Sequence, residues 1–130
     1  MFNLNWKVKA VGIVVLVIVG FAYSIFDKNQ SAAYAQAPAV GDVYTVKLKS
    51  FFPSDNQSSY PYGVMKVDAV NGSKVTLNIA SARFGNAKSV RKSLRTDGQN
   101  ANFYSNETLE LDKEQLVSLV ESSGITHIER

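Results

Sequence analysis

Two kinds of hydrophobic pattern divide the chain. From Ala10 to Phe26 it reads AVGIVVLVIVGFAYSIF, 17 residues without a charge. With Val8 and the aliphatic stem of Lys9, this run approaches the roughly 20 residues that span a hydrocarbon core of about 30 Å. In lipid such a run must be helical, because only a helix satisfies its own backbone there. Trp6 and Tyr23 sit near its ends as amphipathic rings suited to the two interfaces. Lys7 and Lys9 precede it, while Asp27 and Lys28 cancel after it, so the positive-inside bias predicts a cytoplasmic N-terminus. A cleaved signal peptide competes with this reading, since Ala33-Tyr34-Ala35 before Gln36 has the small-residue form of a cleavage site. The length of the run and the polar stretch Asp27 to Gln30 favour an uncleaved signal anchor over residues 1–30.

Beyond the anchor, Ser31 to Val40 is small, uncharged and carries Pro38, which predicts a tether over 31–40. From residue 41 the period becomes two. Tyr44, Val46 and Leu48 alternate with Val43, Thr45 and Lys47, predicting a half-buried strand. A loop rich in Ser, Pro, Asp and Asn covers 50–61. Gly63 to Val70 and Lys74 to Ala80 alternate again, with Met65, Val67 and Ala69 on one side of the first and Val75, Leu77 and Ile79 inward on the second. Asn71-Gly72 between them predicts a two-residue type I′ hairpin turn, which needs positive φ at both positions. Phe103 to Leu111 reads as another strand. Asp112 with Gln115 three residues on has the form of a capping box. Leu116, Leu119 and Val120 follow at helical spacing, and Gly124 stands where a helix end favours positive φ. Ile125 to Arg130 would be a short last strand.

The expected architecture is therefore a single N-terminal transmembrane helix followed by a small mainly-β domain over 41–130. Its antiparallel sheet would be highly curved, or a partly open barrel, with one C-terminal helix before the last strand. The order of elements resembles that of SH3-like and OB-like barrels as architecture alone, and architecture carries no function.

Composition narrows the chemistry. The 130 residues contain no cysteine and one histidine, so disulfides, thiolate metal sites, cysteine nucleophiles and multi-histidine centres are not available to this sequence. His127 lies in the last expected strand, a poor anchor for a catalytic group. Glu107, Glu110, Asp112 and Glu114 are close in sequence, but acids at a helix start favour the helix dipole and no calcium-loop pattern accompanies them. No phosphate-binding or hydrolase nucleophile motif is present. The expectation is a non-catalytic protein without cofactor or metal.

Charge placement says more than the net charge of +3. Arg83, Lys88, Arg91, Lys92 and Arg95 occur with no acid among them, whereas seven acids and only Lys113 occupy Asp97 to Glu129. Lys88, Arg91, Lys92 and Arg95 stand at i, i+3, i+4 and i+7, one face of a helix if the segment is helical. Such a face suits an anionic partner surface or headgroup, unless it folds back onto Glu107, Glu110 or Glu114. The loop 50–62 adds Phe51, Phe52, Tyr60 and Tyr62, of which Phe52 and Tyr60 are the expected exposed anchors. Residues 38–130 carry 11 cations and 10 acids, a balance that argues against nucleic acid. The sequence thus points to a membrane-anchored binding module of a bacterial inner membrane. Its domain would be periplasmic and would dock on a protein partner, as an accessory subunit or an immunity-type protein. The alternative is a cleaved, soluble periplasmic protein, of which an envelope-polymer hydrolase using Glu107 and Asp112 is one form.

Overall fold

The computed structural model describes residues 30–130. The anchor expected over residues 1–30 lies outside them, Gln30 apart. Among the described residues no helix is long and apolar enough to cross a membrane. The chain begins with helical residues 30–36 (α1), followed by β1 (Val43–Lys47), α2 (Leu48–Phe51) and β2 (Tyr62–Asn71). Then come β3 (Lys74–Ala80), α3 (Ala87–Asp97), β4 (Tyr104–Asp112), α4 (Lys113–Glu121) and β5 (Ile125–Glu129). The strands form one antiparallel sheet in the order β4-β3-β2-β1-β5. Strands β4 and β5 remain its two edges, so the sheet does not close into a barrel.

Alternation sorts the strands onto two faces. Tyr44, Val46, Met65, Val67, Val75, Leu77 and Ile128 point to one face, where Leu116 and Val120 of α4 and Ala35 of α1 cover them. Burying a side chain of this size contributes about 1.5–3 kcal/mol, so this face holds most of the apolar stabilisation. The opposite face carries a smaller cluster of Val64, Ala80, Val90 and Phe103, with α3 laid over it. Strand β1 is consequently covered on both faces, because Thr45 is buried as well as Tyr44 and Val46.

Four local expectations change. Residues 31–40 do not run as an extended tether. The segment SAAYAQA is helical through residue 36 and packed on the core, with Ser31 1% and Ala35 0% exposed. Alanine is the strongest helix former, and an Ala-rich run that meets an apolar sheet face has reason to fold onto it. Ser31 Oγ accepts the Ile128 N–H at 3.1 Å, which ties α1 to β5.

The hairpin turn is shifted by one residue. Asn71 is paired with Lys74, so Gly72 and Ser73 are the turn residues, and Gly72 alone of the three has positive φ, at 63°. Positive φ at the first turn position is the type II′ pattern. This register also places Val70 opposite Val75.

A bulge falls in β2, where Val67 pairs with Leu77 and Ala69 with Thr76. The extra residue moves Ala69 off the core face and brings Val70 onto it.

At the end of α4, positive φ belongs to Ser123, at 66°, and not to Gly124. Glycine is needed at 124 for space: a Cβ there would stand 2.8 Å from Ser50 Cβ and 2.9 Å from Leu119 Cδ2. The capping box at the start of α4 is present, with Gln115 Oε1 accepting the Asp112 N–H at 2.9 Å.

Candidate functional site

The basic segment is helical, and its own residues explain why. Asn86 holds the N-terminus of α3, its Oδ1 accepting the Ser89 N–H at 2.8 Å. Val90, fully buried, and Leu94 one turn later pack into the smaller cluster beside Phe103. At about 100° per residue, Lys88, Arg91, Lys92 and Arg95 then fall on the side away from Val90, and all four are exposed. The sequence-derived face is thus assembled on one surface.

Those cations do not fold back onto the acidic C-terminal part. Among the described residues, none of the four has a carboxylate partner at ion-pair distance, Glu107, Glu110 and Glu114 included. Internal pairing uses other residues: Lys74 with Asp112 at 2.9 Å, Arg83 with Asp55 at 2.8 Å, and Arg130 with Asp42 at 2.9 Å. The α3 face keeps like charges one turn apart, which costs a few tenths of a kcal/mol per pair. Their exposure to solvent makes that tolerable.

Arg83 joins the aromatic loop to the segment just ahead of α3. Its Nε and Nη2 donate to the Tyr60 carbonyl at 3.1 and 2.9 Å, and Nη2 donates to Asp55 Oδ2. The hydrogen bond from Arg83 holds the Asp55 carboxyl below its usual range. Tyr62 and Phe84 add a two-bond bridge at 3.0 and 2.9 Å. The loop is thereby clipped just ahead of Asn86, and Tyr60 stands 54% exposed. Phe52 is not part of this surface. Its N–H donates to Leu48 O at the end of α2, and its half-buried ring packs against the main core. A ring so close behind the buried Leu48 is drawn inward with it.

The remaining titratable candidates are dispersed. His127 Nε2 lies 3.7 Å from Glu129 Oε2 on β5. Asp112 is engaged with Lys74 at the start of α4, and Glu107, Glu110 and Glu114 are exposed. Among the described residues no group of three or more His, Cys, Asp or Glu is placed to hold a metal. At the other side of the sheet, burial, with the Asp42 carboxylate second, pushes the Tyr44 hydroxyl well above its ordinary pKa.

Sequence reasoning missed a cleft of about 490 Å³ beside α3. Its floor is the β2–β3 face at Lys66 and Asn78, which are direct cross-strand partners. Its wall is the turn after α3 and the start of β4, where Gln99, Asn100, Tyr104 and Asn106 line it. Burial, with Glu129 as a lesser cause, raises the Tyr104 hydroxyl to about 12. The signal available beforehand was the amide-rich run GQNANFYSN over 98–106, which breaks every periodicity. No protein-family model, no curated protein and no solved structure matches this chain.

Proposed function

We propose that the chain is a non-catalytic binding module, anchored in a bacterial inner membrane through residues 1–30, whose periplasmic domain docks on a protein partner. The observation that carries this reading is the outer face of α3. Among the described residues four cations stand there without carboxylate partners, and the exposed Tyr60 sits on a loop that Arg83 holds just ahead of α3. Such a surface recruits an acidic partner through long-range attraction, and the tyrosine supplies ring area at low rotamer cost. Retention of the anchor is supported by α1. Cleavage after Ala35 would remove Ser31 and Ala35, both part of the packed domain.

The test places a photo-crosslinking residue at Lys92, at Tyr60 and, as a control, at Asn71 of the full chain in its membrane. The expected result is one common adduct from positions 92 and 60. It should weaken with added salt, since exposed charges are screened over about 8 Å at physiological ionic strength. It should also disappear when Lys88, Arg91 and Arg95 become glutamine. An adduct that forms equally from Asn71, or that ignores both salt and substitution, would overturn the reading.

A further inference from the structure

The cleft beside α3 has a composition that the docking surface does not share. Four amide side chains, Asn78, Gln99, Asn100 and Asn106, line it. Among the described residues none of them hydrogen-bonds to protein. Three amides outside the cleft are engaged: Asn86 caps α3, Gln115 caps α4 and Gln30 donates to Tyr34. Each amide in the cleft therefore offers two donors and one acceptor to whatever enters.

The wall is held in shape by its backbone, not by those side chains. Gly98 N–H donates to Leu94 O, Asn100 N–H to Asp97 O and Phe103 N–H to Asn100 O, at 3.1, 2.9 and 3.1 Å. Ser105 Oγ donates to Ile79 O at 2.7 Å, which pins the start of β4 to β3. A Cβ at position 98 would stand 2.5 Å from Leu94 O, so glycine is required for the turn to close this tightly. Phe103 is buried in the cluster below. The amides are thus presented from a fixed frame, which lowers the ordering cost of binding.

Charge and apolar surface narrow the ligand. Lys66 and Asp68 both line the cleft, so its formal charges cancel. The Lys66 ammonium lies 5.4 Å from the centre of the Tyr104 ring, which keeps that cation against the wall. Val40, 67% exposed, forms an apolar rim. A volume near 490 Å³ falls in the range of small-ligand sites. The geometry points to a site for a neutral glycan bearing N-acetyl groups. Its acetamido groups pair with side-chain amides donor to acceptor in both directions, its hydroxyls both donate and accept, and its methyl groups suit the Val40 rim. This site is separate from the α3 face and does not depend on the docking proposal.

The experiment titrates the full, isotope-labelled chain in a detergent without sugar headgroups. The probes are chitotetraose, an N-acetylated oligomer, and maltotetraose, which has hydroxyls alone. Chitotetraose should shift the side-chain amide signals of Asn78, Gln99, Asn100 and Asn106, and maltotetraose should bind more weakly. Asn78→Ala and Asn100→Ala should each weaken chitotetraose binding about three- to tenfold, the range of one net hydrogen bond. Lys92→Gln should leave it unchanged. Should a variant lose its fold, the shift map of the parent decides. No shift at the four amides, equal binding of maltotetraose, or parental affinity in both folded alanine variants would overturn the assignment.

Discussion

Arg130→Ala should be among the most destabilising single changes outside the apolar core. The guanidinium donates to both carboxylate oxygens of Asp42, at 2.9 and 3.0 Å, and to the Ala37 carbonyl at 2.7 Å. It also lies 4.3 Å from the Tyr34 ring centre, so one side chain holds the junction between α1, residues 37–42 and β5. The Asp42 side chain is 0% exposed and that of Arg130 is 41% exposed. Once Arg130 is removed, Asp42 is left with the Ala39 N–H alone, at 3.0 Å. Breaking a buried ion pair costs about 3–5 kcal/mol. The outer half of this pair is wet, so water follows the lost side chain and the cost falls to about 2–3 kcal/mol. For a domain of this size that is a fall in melting temperature of roughly 10 °C or more.

The partner deletion is not symmetrical. Asp42→Asn keeps an oxygen for the Ala39 N–H and leaves Arg130 free to turn to solvent, so it should cost about 1 kcal/mol. The double variant should then be more stable than Arg130→Ala, because the uncompensated charge is gone. Lys74→Ala, which breaks an exposed pair, is the reference and should cost at most about 1 kcal/mol. Thermal unfolding followed by circular dichroism measures all four. Arg130→Ala melting within 2 °C of the Lys74→Ala reference, or a double variant below Arg130→Ala, would refute this account of the junction.

Changing Lys88, Arg91, Lys92 and Arg95 together to glutamine should leave the melting temperature at or slightly above that of the parent, since like-charge repulsion is relieved and no ion pair is lost; a clear drop would mean that the α3 face is held internally. Gly124→Ala should cost about 1–3 kcal/mol by overpacking against Ser50 and Leu119, whereas Ser123→Gly should gain up to about 1 kcal/mol by relieving φ of 66°, and chemical denaturation distinguishes the two. Arg83 lowers the Asp55 pKa, so the stabilisation from this pair is fully present above the unfolded value near pH 4 and is lost as pH falls through the lower folded value. The stability gap between the parent and Arg83→Gln should therefore narrow below about pH 4, and a gap that widens there would contradict the pairing.

Much of the domain was legible because its signals are local. Alternation at 43–48, 63–70 and 74–80 names strands directly, Leu48 excepted because it opens α2, and Asp112 with Gln115 marks the start of α4 before any packing is considered. The cation spacing from Lys88 to Arg95 likewise anticipated one helix face, since helical geometry alone brings i, i+3, i+4 and i+7 together. Other features depend on atoms distant in sequence. Phe52 and Tyr60 are both loop aromatics, and only the buried Leu48 beside one and Arg83 beside the other decide which turns inward. Ala69 and Val70 exchange faces because the hairpin register inserts an extra residue in β2, a choice between near-equal alternations. Residues 31–36 carry no amphipathic pattern strong enough to name a helix, and they become one because an apolar sheet face is there to be covered.

Local periodicity therefore settled the strands and the C-terminal helix, while the charged face stayed conditional until the segment 87–97 proved helical. Tertiary contact settled what the sheet leaves open, where α1 lies, and how Lys66 and Asn78 come to share a cleft with Asn100. The reason is physical. A residue's neighbours along the chain determine which way its side chain can point, but burial and hydrogen bonding are decided by groups that only folding brings within reach.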